Sequence, residues 1–388
     1  MTIILRNADV FAPEPLGLQT LVVGGGKVLW MGSDSAAPTG GDWIGEDVDL
    51  GGAKLIPGLV DGHNHPTGGG GESGPETRVP APMLSTYTQA GVTTIVGMLG
   101  TDGETRDMAA VCAAVRGLRA EGLGAYCLTG GYHIPGRTIT GSLRGDITHI
   151  DEIIGVGELA LSDFRSSQPT LNELLRIASE AQIGGMLTGK AGIVHLHMGD
   201  GPRGLELVRA ALDQSELPAR VFHPTHVNRK RALFDEAMAL TAAGCTIDVT
   251  AFPVEDGEDA WSAEAALTKY FEAGLRMQQI TVSSDCGGCL PVFDGDGVMT
   301  HMDIGGPGEL LVTLAKLVDA GHELGDVLMP FTSNPARLLR LANKGRVAVG
   351  ADADLVILDD QLRASGVMAG GKWHVRAGAL VQRGTFEA

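Results

Sequence analysis

Aromatic residues make up only 4% of this 388-residue chain, and its five cysteines are scattered. With so few aromatics, the core has to be built from Ala, Val, Leu, Ile and Gly. An odd number of widely spaced cysteines makes no disulfide framework, so a reducing cytoplasm is the expected location. No apolar run approaches the roughly 18 residues of a membrane span. The start MTIIL turns polar at once and does not read as a secretory leader. Basic residues are also few: Lys and Arg number 29 against 47 Asp and Glu, a net charge of −18. A surface this acidic repels phosphate backbones and anionic lipid, so neither nucleic acid nor membrane is expected as a partner. What the chain has is glycine, 57 residues, and 44% hydrophobic residues. That apolar fraction supports a sizeable core and excludes wholesale disorder.

Residues 1–57 read as short strands joined by tight turns. Leu21–Val23, Gly24–Gly26 and Lys27–Met31 have the form of a hairpin. From Leu59 the pattern changes to apolar strands alternating with Ala/Leu/Glu-rich helices. Eight strands are expected: Leu59–His65, Thr94–Gly100, Ala125–Gly130, Ile153–Leu161, Gly192–His197, Arg220–His226, Cys245–Ala251 and Gln279–Asp285. Helices are expected at Ala81–Ala90, Met108–Glu121, Thr170–Ala181, Arg203–Asp213, Arg231–Ala243 and Ala263–Ala273. Eight βα units predict an α/β fold, a (β/α)8 TIM-like barrel over residues 58–344. A doubly wound sheet is the alternative, but a His pair sits where its glycine fingerprint would follow the first strand. Near residue 344 short strands return: Gly345–Val347, Leu355–Leu358, Val367–Met368, His374–Val375 and Leu380–Val381. Residues 1–57 and 345–388 therefore predict one small β-sandwich domain made from both chain ends.

The strongest chemical feature is Asp61-Gly62-His63-Asn64-His65. Alternation along a strand points Asp61, His63 and His65 the same way. At the C-terminal end of a barrel strand that way leads into the active-site rim. Alone, two such His fit equally well a loop that carries them by chance. However, His197 and His226 end the fifth and sixth expected strands, Asp285 ends the eighth, and Glu158 lies in the fourth. Four imidazoles and two carboxylates on one rim suit zinc or a similar ion, and a carboxylate can bridge two of them. His195 lies two residues deeper than His197. His223 and His133 read as core or supporting groups, and His149, His301, His322 and His374 as ordinary surface or loop residues.

The run Pro57–His65 resembles the opening motif of the amidohydrolase superfamily, and Ser333–Ala336 with Lys344-Gly345 and Gly350–Val356 resembles its closing motif. Within that superfamily the chain resembles the bacterial isoaspartyl dipeptidases (β-aspartyl peptidases). The segments that carry this are Gly68–Arg78, Leu99–Asp102, Leu128–Ser142, Ser162–Ser166, His197–Asp200, Pro224–Arg229 and Gly384–Ala388. The resemblance implies hydrolysis of the β-aspartyl amide bond of dipeptides by a metal-activated bridging hydroxide, with two divalent ions, zinc by preference, and a homo-oligomer, octameric in the family. By the same resemblance, His63 and His65 hold one metal, and His197 and His226 the other, with a bridging anion from the fourth strand. Asp285 binds metal and shuttles the proton, and Tyr132 polarises the scissile carbonyl. Glu72 binds the free α-amino group, Arg165 and Arg229 bind the α-carboxylate, and Gly70 and Thr101 contact the leaving residue.

The chain departs from that family at two places. The usual bridge is a carboxylated lysine, and Glu158 stands there instead. Glu is shorter, so it bridges only if the backbone moves inward, as a bulge beside Gly157 would allow; otherwise Glu158 is a damaged ligand and the site holds one metal or none. The loop Cys286–Cys289 places Cys289 where the family has serine, which bears on recognition of the leaving residue. Its C-x-x-C reads as two free thiols. The alternatives are another amidohydrolase acting on a cyclic amide or N-acyl amino acid, a mononuclear deaminase, or a metal-free structural relative.

Overall fold

The computed structural model describes residues 2–38, 44–255, 257–293 and 299–388. All eight expected barrel strands form. Leu59–Asn64, Val92–Gly97, Gly124–Thr129, Ile153–Leu161, Val194–Met198 and Phe222–Thr225 pair in chain order as one curled parallel sheet. Ile247–Thr250 and Ile280–Ser283 form a parallel pair. Hydrogen bonds join the two sheets at both seams. His65 N–H donates to the Cys286 carbonyl at 2.8 Å, and the Thr225 hydroxyl donates to Asp248 at 2.7 Å. Nearly every strand residue is buried. Helices cover the outer face and side chains fill the interior, which is why the strands read as unbroken apolar runs.

The helices start where the sequence supplies caps. The Thr170 hydroxyl accepts the Glu173 N–H at 3.4 Å while the Glu173 carboxylate accepts the Thr170 N–H at 2.8 Å. This reciprocal cap opens the helix Leu171–Thr188. That helix passes its expected end at Ala181, and the reason lies in two glycines. A Cβ on Gly185 would meet the Gly192 backbone at 2.6 Å, and one on Gly184 would meet Ile147 at 3.0 Å. They act as close-packing surfaces here rather than breakers. Two other helices start later than expected. Leu84–Thr88 replaces Ala81–Ala90 because Pro82 holds Ala81 extended. Glu206–Asp213 begins only after Gly204, which turns at φ +48°.

The two chain ends meet in one nine-stranded sheet. Lys54–Pro57 pairs antiparallel with Leu355–Leu358 and so stitches the N-terminal strands to the C-terminal ones. The sheet curls around a second core that includes Leu5, Val10, Leu21, Leu55, Leu355 and Met368. Its hairpin turns at Gly25 and Gly26, both with positive φ. The strand expected at Gly345–Val347 does not form. Gly345 turns at φ +69° under the Thr332 carbonyl, which a Cβ would meet at 2.3 Å. One hairpin was not anticipated: Cys289–Phe293 pairs antiparallel with Met299–Ile304 just after the eighth barrel strand.

Candidate active site

The first barrel strand delivers both of its histidines to the rim. His63 is fully buried, and its Nε2 lies 3.3 Å from His65 Nε2. Asp61 lies apart from them. It accepts the Ser284 N–H at 3.1 Å and the Ser284 hydroxyl at 2.5 Å, tying the first strand to the end of the eighth. Burial raises its carboxyl to about 6 despite those donors.

The fourth strand carries the bulge that Glu158 requires. Val156 pairs with Val194 and Leu159 with Leu196, three residues against two, so the extra residue lies at Gly157–Glu158. Gly157 fits there because a Cβ would meet the His195 Cβ at 2.8 Å and Leu128 at 2.9 Å. The Glu158 carboxylate reaches the centre of the cluster. Its Oε2 is 3.0 Å from His197 Nδ1, 3.6 Å from His63 Nε2 and 3.7 Å from His226 Nε2, and its Oε1 is 3.5 Å from His65 Nε2. Burial pushes its pKa up, but His63 and His197 outweigh it and hold the group well below the carboxylate range.

Asp285 closes the ring from the eighth strand at φ +52°. Its Oδ1 lies 3.1 Å from His65 Nε2 and 3.5 Å from His63 Nε2, yet it is buried and accepts no hydrogen bond. Burial opposes its ionisation, but the neighbouring imidazoles bring it down to about 2. His226, at φ +58°, sets its Nδ1 2.7 Å from the Thr250 hydroxyl and leaves Nε2 facing Glu158. Burial lowers His226 to about 4, which keeps the ring in its neutral, metal-ligating form. Among the described residues two ligand sets result, His63/His65/Asp285 and His63/Glu158/His226, each with donor atoms within 4.8 Å of one another. Nitrogen and oxygen donors around an orphaned buried oxygen fit a divalent cation.

His197 falls outside both sets. Its Nδ1 faces Glu158 at 3.0 Å, its Nε2 faces Asp163 at 3.2 Å, and the Tyr132 hydroxyl lies 2.8 Å from its Nε2. Burial, then Glu158, keeps the Tyr132 phenol protonated far above its usual range. Asp163 also takes Arg165 in a fork, Nη2 at 2.7 Å and Nε at 3.0 Å. The third guanidinium nitrogen, Nη1, donates to Glu72 at 3.1 Å. Arg229 Nη1 lies 3.2 Å from His197 Nε2, and its Nε pairs with Asp200 at 2.9 Å. The structure thus places Arg165 and Arg229 beside His197, with Glu72 on the far nitrogen of Arg165.

Gly70 sits in the glycine loop at φ +68°, with the Thr77 carbonyl 2.3 Å from where a Cβ would be. Arg106 holds this loop by donating to the Gly69 carbonyl at 2.8 Å and the Gly70 carbonyl at 3.3 Å. Thr101 is half-buried in the loop after the second strand. Cys289 is half-buried at the start of the hairpin, 3.0 Å from the Met302 sulfur. Burial, with Glu72 and Asp285, raises its thiol to about 11, so neutral thiol predominates. One expectation is corrected: His374 is fully buried rather than a surface residue. The side chain of His301 lies outside the described residues. Sequence reasoning missed Asp163, Arg106 and Asp200 as site-building groups. Asp163 and Asp200 stand inside quoted motifs, whereas nothing in the sequence marks Arg106.

Among the described residues no helix is long and apolar enough to cross a membrane. The barrel with its rim of imidazoles and carboxylates defines a metal-dependent hydrolase architecture, and the amidohydrolase family model matches residues 55–374. The chain belongs to the amidohydrolase family. Within it the chain is similar to a beta-aspartyl dipeptidase from the thermophilic, keratin-degrading Fervidobacterium islandicum AW-1, solved in complex with beta-Asp-Leu dipeptide. That match has 41% identity over 98% of each chain and a TM-score of 0.90. A second structure of that organism's enzyme matches at 39% identity over 98% of each chain, with a TM-score of 0.88. A D-hydantoinase at 18% identity, covering 100% of this chain and 98% of its own, shares the fold with a TM-score of 0.69.

Proposed function

We propose that this protein is a β-aspartyl dipeptidase whose site binds two divalent ions, zinc by ligand type. The observation that carries this reading is the Glu72–Arg165 contact of 3.1 Å beside the His and carboxylate cluster. A β-linked N-terminal aspartyl unit carries a free ammonium and a free carboxylate on one carbon. A carboxylate and a guanidinium held together present the matching pair of charges. Arg229 adds a second cation for the α-carboxylate, and Gly70, Thr101 and Cys289 line the side of the leaving residue. A neutral cyclic amide has no ammonium or carboxylate for such a charge pair to match, so the hydantoinase-like reading is second.

His63, His65, Glu158, His226 and Asp285 would hold the metals, with His197, 3.0 Å from Glu158, as the further imidazole at the site. When bound, the ions supply Lewis acidity and lower the pKa of a water toward neutrality. The protein's own groups manage protons and position. Asp285 Oδ1, buried beside His63 and His65 without a hydrogen-bond donor, accepts the proton of the attacking water and passes it to the departing nitrogen. The Tyr132 hydroxyl, held protonated, donates to the carbonyl oxygen as negative charge develops there. Arg165, forked on Asp163, holds the aspartyl unit so that its β-carbonyl meets these groups.

The catalytic segment is residues 58–344, with 1–57 and 345–388 as a small β domain. Five unpaired cysteines fit a cytoplasmic location, and a homo-oligomer, octameric by family resemblance, is the assembly to test by solution mass. The deciding experiment compares β-Asp-Leu with Asp-Leu while counting metal on the same sample. Cleavage of the first and not the second, with stoichiometric zinc, is expected. Equal rates on both would sink the assignment.

A further inference from the structure

Two buried histidines below the cluster belong to neither ligand set. His195 and His223, 1% and 3% exposed, join His63 to the opposite wall of the barrel. His63 Nδ1 lies 2.8 Å from His195 Nε2, and His195 Nδ1 lies 2.8 Å from His223 Nδ1. His223 Nε2 lies 3.1 Å from Thr281 Oγ1, which lies 2.5 Å from Asp248 Oδ1. Asp248 is 1% exposed, and its other oxygen accepts the hydroxyls of Thr225 at 2.7 Å and Ser283 at 2.5 Å.

The direction of this chain is set from its far end. Three hydroxyls surround the two oxygens of Asp248, which makes it the acceptor at the end of the chain. The single Thr281 hydroxyl proton therefore goes to Asp248 rather than to the Ile247 carbonyl at 3.4 Å. The Thr281 oxygen then accepts from His223 Nε2–H. Only one proton fits between two nitrogens 2.8 Å apart, so bare His223 Nδ1 accepts from His195 Nδ1–H. Bare His195 Nε2 in turn accepts from His63 Nδ1–H. His63 is left with its lone pair on Nε2, the atom 3.3 Å from His65, 3.5 Å from Asp285 and 3.6 Å from Glu158. A chain running the other way would put a proton on that atom and block ligation.

We propose that Asp248, acting through Thr281, His223 and His195, is a positioning residue that locks His63 in the tautomer whose Nε2 lone pair faces the ligand cluster, and so sets the affinity for a divalent cation. The inference rests on the metal-site reading above. Ligating histidines whose second nitrogen is anchored to a carboxylate hold metal more tightly, and losing the anchor costs about 10–100-fold in affinity. In this protein the anchor sits several groups away, with two further imidazoles as the link.

The test is zinc affinity by chelator competition. Thr281→Val keeps the shape and removes the hydroxyl, whereas Thr281→Ser keeps the hydroxyl. Affinity should fall at least about tenfold in Thr281→Val and stay within about twofold of the parent in Thr281→Ser. In a His63→Ala background Thr281→Val should change the residual affinity no further, because the relay acts through His63. Equal losses in both backgrounds would mean a general structural effect and overturn the proposal. A parent that takes up no zinc overturns the metal-site reading itself, while a parent that binds zinc as Thr281→Val does overturns the relay alone. Should Thr281→Val not fold, ¹⁵N NMR of the metal-free parent decides. His195 protonated on Nδ1 and bare on Nε2 supports the relay, and His195 protonated on Nε2 refutes it.

Discussion

Glu158 has to place one short carboxylate among four imidazoles, and its oxygens stand 3.0–3.7 Å from His63, His65, His197 and His226. Because that charge is permanent, assembly of the site should not need CO2, unlike a carboxylated lysine. Metal-free protein should regain full activity on adding zinc in CO2-depleted buffer. Reactivation that requires bicarbonate would place the bridge on a lysine elsewhere. Asp285 makes a different demand. Asp285→Asn keeps the size but removes the proton acceptor, so kcat should drop about 10²–10⁴-fold while most of the zinc stays bound. Near-normal turnover in that variant would move the proton shuttle to another group. The Arg165 fork on Asp163 predicts that Arg165→Lys loses binding and rate, since a point charge cannot make two parallel bonds to one carboxylate and a third to Glu72.

At the scale of elements, the bulged fourth strand positions the bridge. The extra residue lies at Gly157–Glu158, where the carboxylate meets four imidazoles, and the missing Cβ of Gly157 makes room beside His195. Gly157→Ala should therefore destabilise the fold by about 1–3 kcal/mol through overpacking. It should also lower zinc occupancy, read together from the urea midpoint and metal analysis. Unchanged occupancy would show that the strand can place Glu158 without the bulge. The glycine loop is a second such element. Arg106 reaches across to its carbonyls and holds Gly70 at φ +68°, where a side chain has no room.

Across the whole molecule two cores share one strand pair. Leu55 packs into the core of the terminal sheet, while its neighbour Ile56 packs into the barrel core. Val356 faces the barrel core between Leu355 and Ile357, which face the sheet core. Alternation along a strand gives each face its own core, so the chain ends are fastened to the barrel by side chains as well as by hydrogen bonds. Lys344 adds an ion pair with Asp354 at 2.5 Å beside this junction. Leu55→Ala should cost about 2–5 kcal/mol by leaving a cavity. The loss should appear in urea unfolding without a change in zinc affinity, because the ligand cluster lies on the barrel rim. A parallel loss of affinity would show that the terminal sheet supports the site.

The alternation of strands and helices and the placement of His63, His65, His197, His226 and Asp285 at strand ends were legible from sequence. Each depends on local period and spacing along a strand, which residue order specifies directly. The need for a bulge at Glu158 was legible only through the family resemblance, because it rests on the length of the lysine that Glu158 replaces. The helix past Ala181, the irregular turn at Gly345 and the burial of His374 were not, because a glycine is breaker or contact surface according to what approaches it. The partners of Arg106, the Arg165 fork and the His63–His195–His223–Thr281–Asp248 chain were decided only by tertiary structure. Their members lie on separate strands and loops, and which of their polar atoms meet depends on how far each backbone is displaced when the barrel closes.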